Sequence, residues 1–108
     1  VIKKQYSLTT APGEGHYGTY SVVSGTDLTL NAQSIGTDNI DFVILAYEGN
    51  GRVTVDPSYT GSAATTLEIS GSASEPGWFI VGPGANITSI ILISASGTIR
   101  VNAFIAGD

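Results

Sequence analysis

The sequence predicts an all-β fold, a β-sandwich of seven to nine mostly antiparallel strands. Three observations carry this. Several segments alternate apolar and polar residues with a period of two. Gly, Ser, Asn and Asp punctuate these segments at roughly 8–12-residue spacing, as in sandwiches and barrels. No segment sustains apolar residues at i, i+3, i+4 and i+7 without an intervening Gly or Pro, so no helix longer than about two turns is expected.

Taken in order, Gln5–Thr10 reads as a first strand or an extended arm, and Ala11–Gly15 as a turn-rich break. Gly18–Ser24 carries the β-formers Tyr20, Val22 and Val23, and Ser24–Asp27 is a turn. In Leu28–Ala32, Leu28, Leu30 and Ala32 share a face. Ser34–Asn39 is a polar loop. Ile40–Glu48 is the strongest strand. Its stretch Phe42–Tyr47 has no polar break, which predicts a central strand covered on both faces. Asn50-Gly51 is the dipeptide favoured in type I′ hairpin turns and leads into Arg52–Val55, with Val53 and Val55 inward.

Asp56–Ala64 is a loop, Thr65–Ser70 a strand with Leu67 and Ile69 on one face, and Gly71–Gly77 a second loop. Trp78–Val81 is a short strand, apolar on both faces, so one face must meet a second sheet and the other a loop or a neighbouring subunit. Gly82–Asn86 is a turn. Ile87–Ala95 and Thr98–Ala106 form a closing hairpin across Ser96-Gly97. Within Ile87–Ala95, the uncharged run Ile90–Ile93 must be central or covered, because on an edge it would aggregate. The expected core is Leu28, Leu30, Phe42, Ile44, Val53, Val55, Leu67, Ile69, Ile80, Leu92, Val101 and Ala103. The whole is a single-domain sandwich, of jelly-roll or Ig-like type, over residues 1–108, with 1–10 a possible N-terminal arm.

Composition narrows the function. The 108 residues carry a net charge of −5, and beyond Lys3 and Lys4 only Arg52 and Arg100 oppose nine carboxylates. Such a body repels phosphate backbones, so no nucleic-acid partner is expected. No apolar run approaches the roughly 20 residues of a membrane span, and no signal-peptide core follows the two lysines, so no membrane partner is expected either. Charged residues make up 12% of the chain, about half the usual share. So neutral a surface points to permanent contact with other copies or a larger body.

The inventory for chemistry is thin. There is one His, no Cys and no G-x-S-x-G, so neither a His/Cys metal shell nor a Ser-His-Asp triad is expected. No enzyme activity and no cofactor are expected. In Gly13-Glu14-Gly15-His16-Tyr17-Gly18, Glu14 and His16 could form an acid–base pair, but the glycines read more simply as a turn. Asp38 and Asp41, with Asn39 between, are candidate oxygen ligands for Ca²⁺, but two carboxylates are few for a site, and turn chemistry at Asp38 and Asn39 is the favoured reading. Trp78 is a core or interface residue or, with Tyr59, a stacking platform for a sugar. Asn86-Ile87-Thr88 matches a glycosylation sequon. The arm differs in charge from the body, and Lys3, Lys4, Tyr6 and Leu8 are its candidate partner-binding residues.

The short arm Val1–Thr10, the Gly/Ser/Thr-rich body, the lack of Cys and Met, and the terminal strand ending Val101-Asn102-Ala103-Phe104-Ile105-Ala106-Gly107-Asp108 together resemble the small β-sandwich cement or decoration proteins of tailed bacteriophage capsids. The resemblance covers the whole chain in its proportions and rests on no shared motif. It implies a homo-oligomer, often a trimer, bound to the major capsid protein on the virion surface and stabilising the shell. The alternative from the residues is an extracellular carbohydrate-binding module or lectin, using Trp78 with a tyrosine for stacking and Asp38, Asn39 or Asp41 for hydroxyls or Ca²⁺.

Overall fold

The computed structural model describes residues 14–31, 39–56, 64–82 and 85–107. Among these it forms eight strands and no helix: β1 (Glu14–Val23), β2 (Leu28–Asn31), β3 (Ile40–Glu48), β4 (Gly51–Asp56), β5 (Thr65–Ile69), β6 (Gly77–Val81), β7 (Ser89–Ser94) and β8 (Thr98–Gly107). They make two four-stranded antiparallel sheets, ordered β1-β8-β3-β6 and β2-β7-β4-β5. The expected Gln5–Thr10 strand lies outside the described residues.

The order has a simple origin. β1 pairs with β8, β2 with β7, β3 with β6 and β4 with β5. That is one long two-stranded ribbon folded at the β4–β5 turn. Rolling the ribbon brings β3 beside β8 and β4 beside β7, which completes both sheets. The result is an eight-stranded jelly roll, the first of the two sandwich types expected.

Rolling also explains where local turn signals mislead. Asn50-Gly51 does not close a hairpin: β3 and β4 lie in different sheets. Both edges of β3 are already taken by β8 and β6, so the chain must turn a corner into the second sheet. Gly51 is required there because a Cβ would run into the Ile93 carbonyl oxygen. The closing hairpin across Ser96-Gly97 is likewise a corner, since β8 is flanked by β1 and β3 and β7 by β2 and β4. Gly97 takes a φ of +61°, and Ser94 Oγ donates to the carbonyls of Ser96 and Gly97 at 3.1 and 2.9 Å. Among the described strands, the only consecutive ones that pair are β4 and β5.

The glycine cluster from Glu14 to Gly18 is also strand, not turn. β8 offers an unbroken ladder from Glu14↔Gly107 to Val23↔Thr98, and this pairing outweighs the local composition. Gly18 leaves room for the Tyr20 ring, whose hydroxyl would sit 2.6 Å from a Cβ there.

The core lies between the sheets and is apolar but for the Tyr47 hydroxyl and the buried Ser94 at its margin. Leu30, Val53, Val55, Ile69, Leu92, Val101 and Ala103 are buried in it as expected, and Leu28 and Leu67 pack against it half-buried. Ile90 and Leu92 are buried on β7, which is central in its sheet. Two strands face the other way from the expectation. In β3 the residues turned inward are Val43, Leu45 and Tyr47, so Ile44 is half-buried outside and Phe42 is buried outside against Phe104. In β6, Phe79 and Val81 pack inward, leaving Ile80 outside and 39% exposed. Both strands are apolar on both faces, so alternation carries no information about which face turns in. Tyr47 helps to set the choice: its hydroxyl donates to the Arg52 carbonyl at 2.7 Å.

Two tests follow from this packing. Leu45→Ala, at a site with no exposed surface, should cost about 2–5 kcal/mol in urea unfolding, and Ile80→Ala less than about 1 kcal/mol. Equal losses would mean that the β3 and β6 faces are reversed. The second test concerns pH. Burial pushes the Tyr47 phenol well above the ordinary tyrosine range, against a smaller opposite pull from the Ile93 backbone. Its folded value is raised, so the stabilisation is complete below the unfolded value and lost as pH rises past it. Above about pH 10 the unfolded chain sheds this proton while the folded one keeps it, and stability falls by about 1.4 kcal/mol per pH unit from this group. Tyr47→Phe should flatten that decline, and an unchanged alkaline slope would refute the assignment.

Candidate functional site

The two sheets differ in what they turn outward. The outer face of β2-β7-β4-β5 is an ordinary polar sheet surface. Thr29, Ile91, Thr54 and Thr66 form one row across it, and Ile93, Arg52 and Glu68 another. Thr54 and Thr66 hydroxyls are 2.9 Å apart, and Arg52 stands opposite Glu68. Polar neighbours leave Ile91 and Ile93 half-buried.

The outer face of β1-β8-β3-β6 is apolar across one end and along β6, and polar at the other end. Register sets its side chains in rows. Tyr17, Phe104, Ile44 and Ile80 form one row across all four strands. The next row is Thr19, Asn102, Ala46 and Trp78, followed by Ser21, Arg100 and Glu48. Tyr17 is 66% and Trp78 62% exposed. Among the described residues every exposed large hydrophobic side chain, Val23 and Ile80 included, stands on this one face. Single exposed apolar residues are unremarkable in proteins; a contiguous patch marks a place of contact.

The face is shaped as well as apolar. Tyr17 on edge strand β1 and Trp78 on edge strand β6 rise on either side of a floor made by Ile44 and Ala46. With Phe104, Asn102 and Pro76 they enclose an open depression of about 320 Å³. Phe42 supports the floor edge-on against Phe104, with ring centroids 6.4 Å apart. Polarity rises towards one end, where a short chain of bonds is built into the sheet. Thr19 Oγ1 donates to Asn102 Oδ1 at 2.8 Å, and Asn102 Nδ2 donates to Glu48 Oε2 at 3.0 Å. Arg100 Nε stands 4.0 Å from the same carboxylate oxygen. Arg100 is mostly exposed, so this ion pair contributes little to stability.

The residues singled out from sequence are dispersed. Trp78 is on the outer face of the sheet, not in the core. Asp41 sits at the start of β3 where the register with β8 shifts, and its carbonyl accepts the Ala85 N–H at 3.1 Å. Lys3, Lys4, Tyr6, Leu8, Asp38 and Tyr59 lie outside the described residues. His16 lies on the inner side of β1, where its Nε2 is 2.9 Å from the Tyr20 hydroxyl. Among the described residues no three His, Cys, Asp or Glu converge as a metal shell would require. Asn86 is exposed, while Ile87 is buried in a bridge to Ile40 and Thr88 Oγ1 donates to the Asp56 carbonyl at 2.6 Å.

The residues that sequence reasoning passed over are Tyr17, Ile44, Asn102 and Phe104. With Val101 and Ala103 in the expected core, alternation puts Asn102 and Phe104 on the opposite face of that strand. What it could not supply was the register that sets Phe104 between Tyr17 and Ile44. No protein-family model matches this chain, and no curated protein matches it in sequence.

Proposed function

We propose that this chain is a non-enzymatic structural protein of a larger assembly: a capsid cement or decoration protein that works in multiple copies on a virion surface and stabilises its shell. The observation that carries this reading is the apolar outer face of β1-β8-β3-β6, which a solitary domain would leave in water. Low charge and the thin inventory of reactive side chains agree with it. The stabilising mechanism is passive. Apolar surface is buried against protein neighbours, and the N-terminal arm, with Lys3, Lys4, Tyr6 and Leu8, attaches to the acidic surface of a major capsid protein. Jelly rolls serve both capsid and lectin domains, so the fold alone does not choose between readings.

A specific observation favours one second reading. Trp78 and Tyr17 rim a depression with Asn102 in its lining, an arrangement on which a polysaccharide could stack. Trp78 is the only tryptophan in the chain, so its emission reports such binding directly.

The test is the native particle. The protein purified from its source should come in a particle of many copies with shell proteins. Deleting Val1–Thr10 should leave a folded sandwich, because the eight strands of the described residues lie within Glu14–Gly107, and should weaken its binding to that particle. A native protein of monomer mass whose Trp78 emission shifts on adding polysaccharide would replace the capsid reading with the lectin one.

A further inference from the structure

We propose that the outer face of β1-β8-β3-β6 packs against the same face of a second copy of this chain, about a two-fold axis that runs along the strands between β8 and β3. The inference rests on the reading that the chain works in multiple copies, and it names what covers the face.

The rows carry the argument. A two-fold axis in this position keeps each row opposite itself and exchanges β8 with β3 and β1 with β6. Residues that are register neighbours within one copy thereby become opposing partners between copies, as an isologous contact requires. Arg100 and Glu48 are such neighbours. Across the axis, Arg100 of each copy stands over the partner's Glu48, so the only charged row of the face meets itself with opposite signs aligned. In the next row Asn102 faces the small partner's Ala46, and Trp78 faces the partner's Thr19. In the row beyond, Phe104 faces the partner's Ile44, and Tyr17 the partner's Ile80. No large side chain meets its own kind, and no like charges meet.

Size and shape agree. Face-to-face sheets lie about 10 Å apart with strands inclined by about 30°, so the axis bisects that angle and the rows oppose themselves most closely at β8 and β3, beside it. The fit is therefore closest along β8 and β3 and opens at the edges, where the two bulkiest exposed side chains, Tyr17 and Trp78, stand. Four strands about 4.8 Å apart and some six residues of strand give a face on the order of 400 Å² per copy before side-chain relief. That area makes a concentration-dependent dimer rather than a permanent one. Many copies held on one surface would raise the effective concentration and fill the contact. A two-fold contact builds pairs, in contrast to the trimer that the capsid resemblance implies.

The polar groups favour a second copy over a polysaccharide. Asn102 uses one lone pair of Oδ1 on Thr19 and one N–H of Nδ2 on Glu48, within the sheet itself, which leaves a single N–H and a single lone pair on that amide for a ligand. The depression is thus floored by Ile44 and Ala46, with one partly engaged amide in its lining. A sugar needs convergent free donors and acceptors to fix its hydroxyls.

The experiment is sedimentation equilibrium of the full chain, followed in parallel by Trp78 emission. The wild type should pass from monomer to dimer as concentration rises, with emission moving to shorter wavelength. Trp78→Ala, at an exposed position that leaves the core intact, should stay monomeric over the same range. Glu48→Arg alone and Arg100→Glu alone should each weaken dimerisation about tenfold or more, because like charges then oppose across the axis. An equimolar mixture of these two variants should recover association as a heterodimer, which no effect inside one copy can produce. A wild type that stays monomeric at millimolar concentration overturns the proposal, as does association that ignores Trp78→Ala or a mixture that fails to recover. If the charge variants do not fold, the Trp78→Ala result and the concentration dependence of emission decide. A monomer that still binds shells removes this inference alone; a dimer that binds no shell removes the capsid reading alone.

Discussion

The pairing of β3 with β8 is the constraint on which the rest of the molecule depends. These strands are far apart in sequence, yet they form the middle of one sheet from Ile40↔Gly107 to Glu48↔Arg100. Each then needs a further partner, and the ribbon supplies β6 to β3 and β1 to β8. With both edges of both strands occupied, β4 and β7 can only go to the second sheet. The two corners around Gly51 and Gly97 follow from that exclusion.

The same pairing creates the asymmetry between the two sheets. A central strand that is apolar on both faces buries one face against the opposite sheet through Val43, Leu45 and Tyr47. Its other face, with Ile44 and Ala46, stays outside beside Phe104. At roughly 25 cal/mol per Å² of apolar surface removed from water, the inner face drives folding, while the outer face leaves Tyr17, Trp78 and Ile80 in water. The second sheet presents no such surface, because Thr29, Thr54, Thr66, Arg52 and Glu68 already meet water. Fold and candidate function are thus two uses of one strand pair.

Strand positions were largely legible in the sequence. Ile40–Glu48 was placed to the residue, and Thr65–Ser70 and Trp78–Val81 came within one residue of β5 and β6. Turn residues and period-two alternation are local signals, and they mark where a strand begins and ends. They do not say which strands pair. Asn50-Gly51 and Ser96-Gly97 carry hairpin chemistry, but pairing is decided by which edges remain vacant, and that depends on the whole ribbon. The inward face of β3 was illegible for a related reason, since Ile44 and Leu45 are equally apolar and only the buried Tyr47 hydroxyl separates the two faces. At Glu14–Gly18 the glycines read as turn because the ladder to β8 that straightens them lies at the far end of the chain. The candidate face was half legible: a Trp78–Val81 strand apolar on both sides already demanded a covering partner. That Tyr17, Phe104, Ile44 and Ile80 align in one row required the register.

The central claim is that the outer face of β1-β8-β3-β6 is covered when the protein is at work. Hydroxyl-radical footprinting, read peptide by peptide by mass spectrometry, tests it most directly. The comparison is between the native assembly and the isolated chain at high dilution, with the fully buried Tyr47 as internal control. Tyr17 and Trp78 should be oxidised readily in the dilute chain and protected in the assembly, while Tyr47 is protected in both. Equal oxidation of Tyr17 and Trp78 in the two samples would contradict the account.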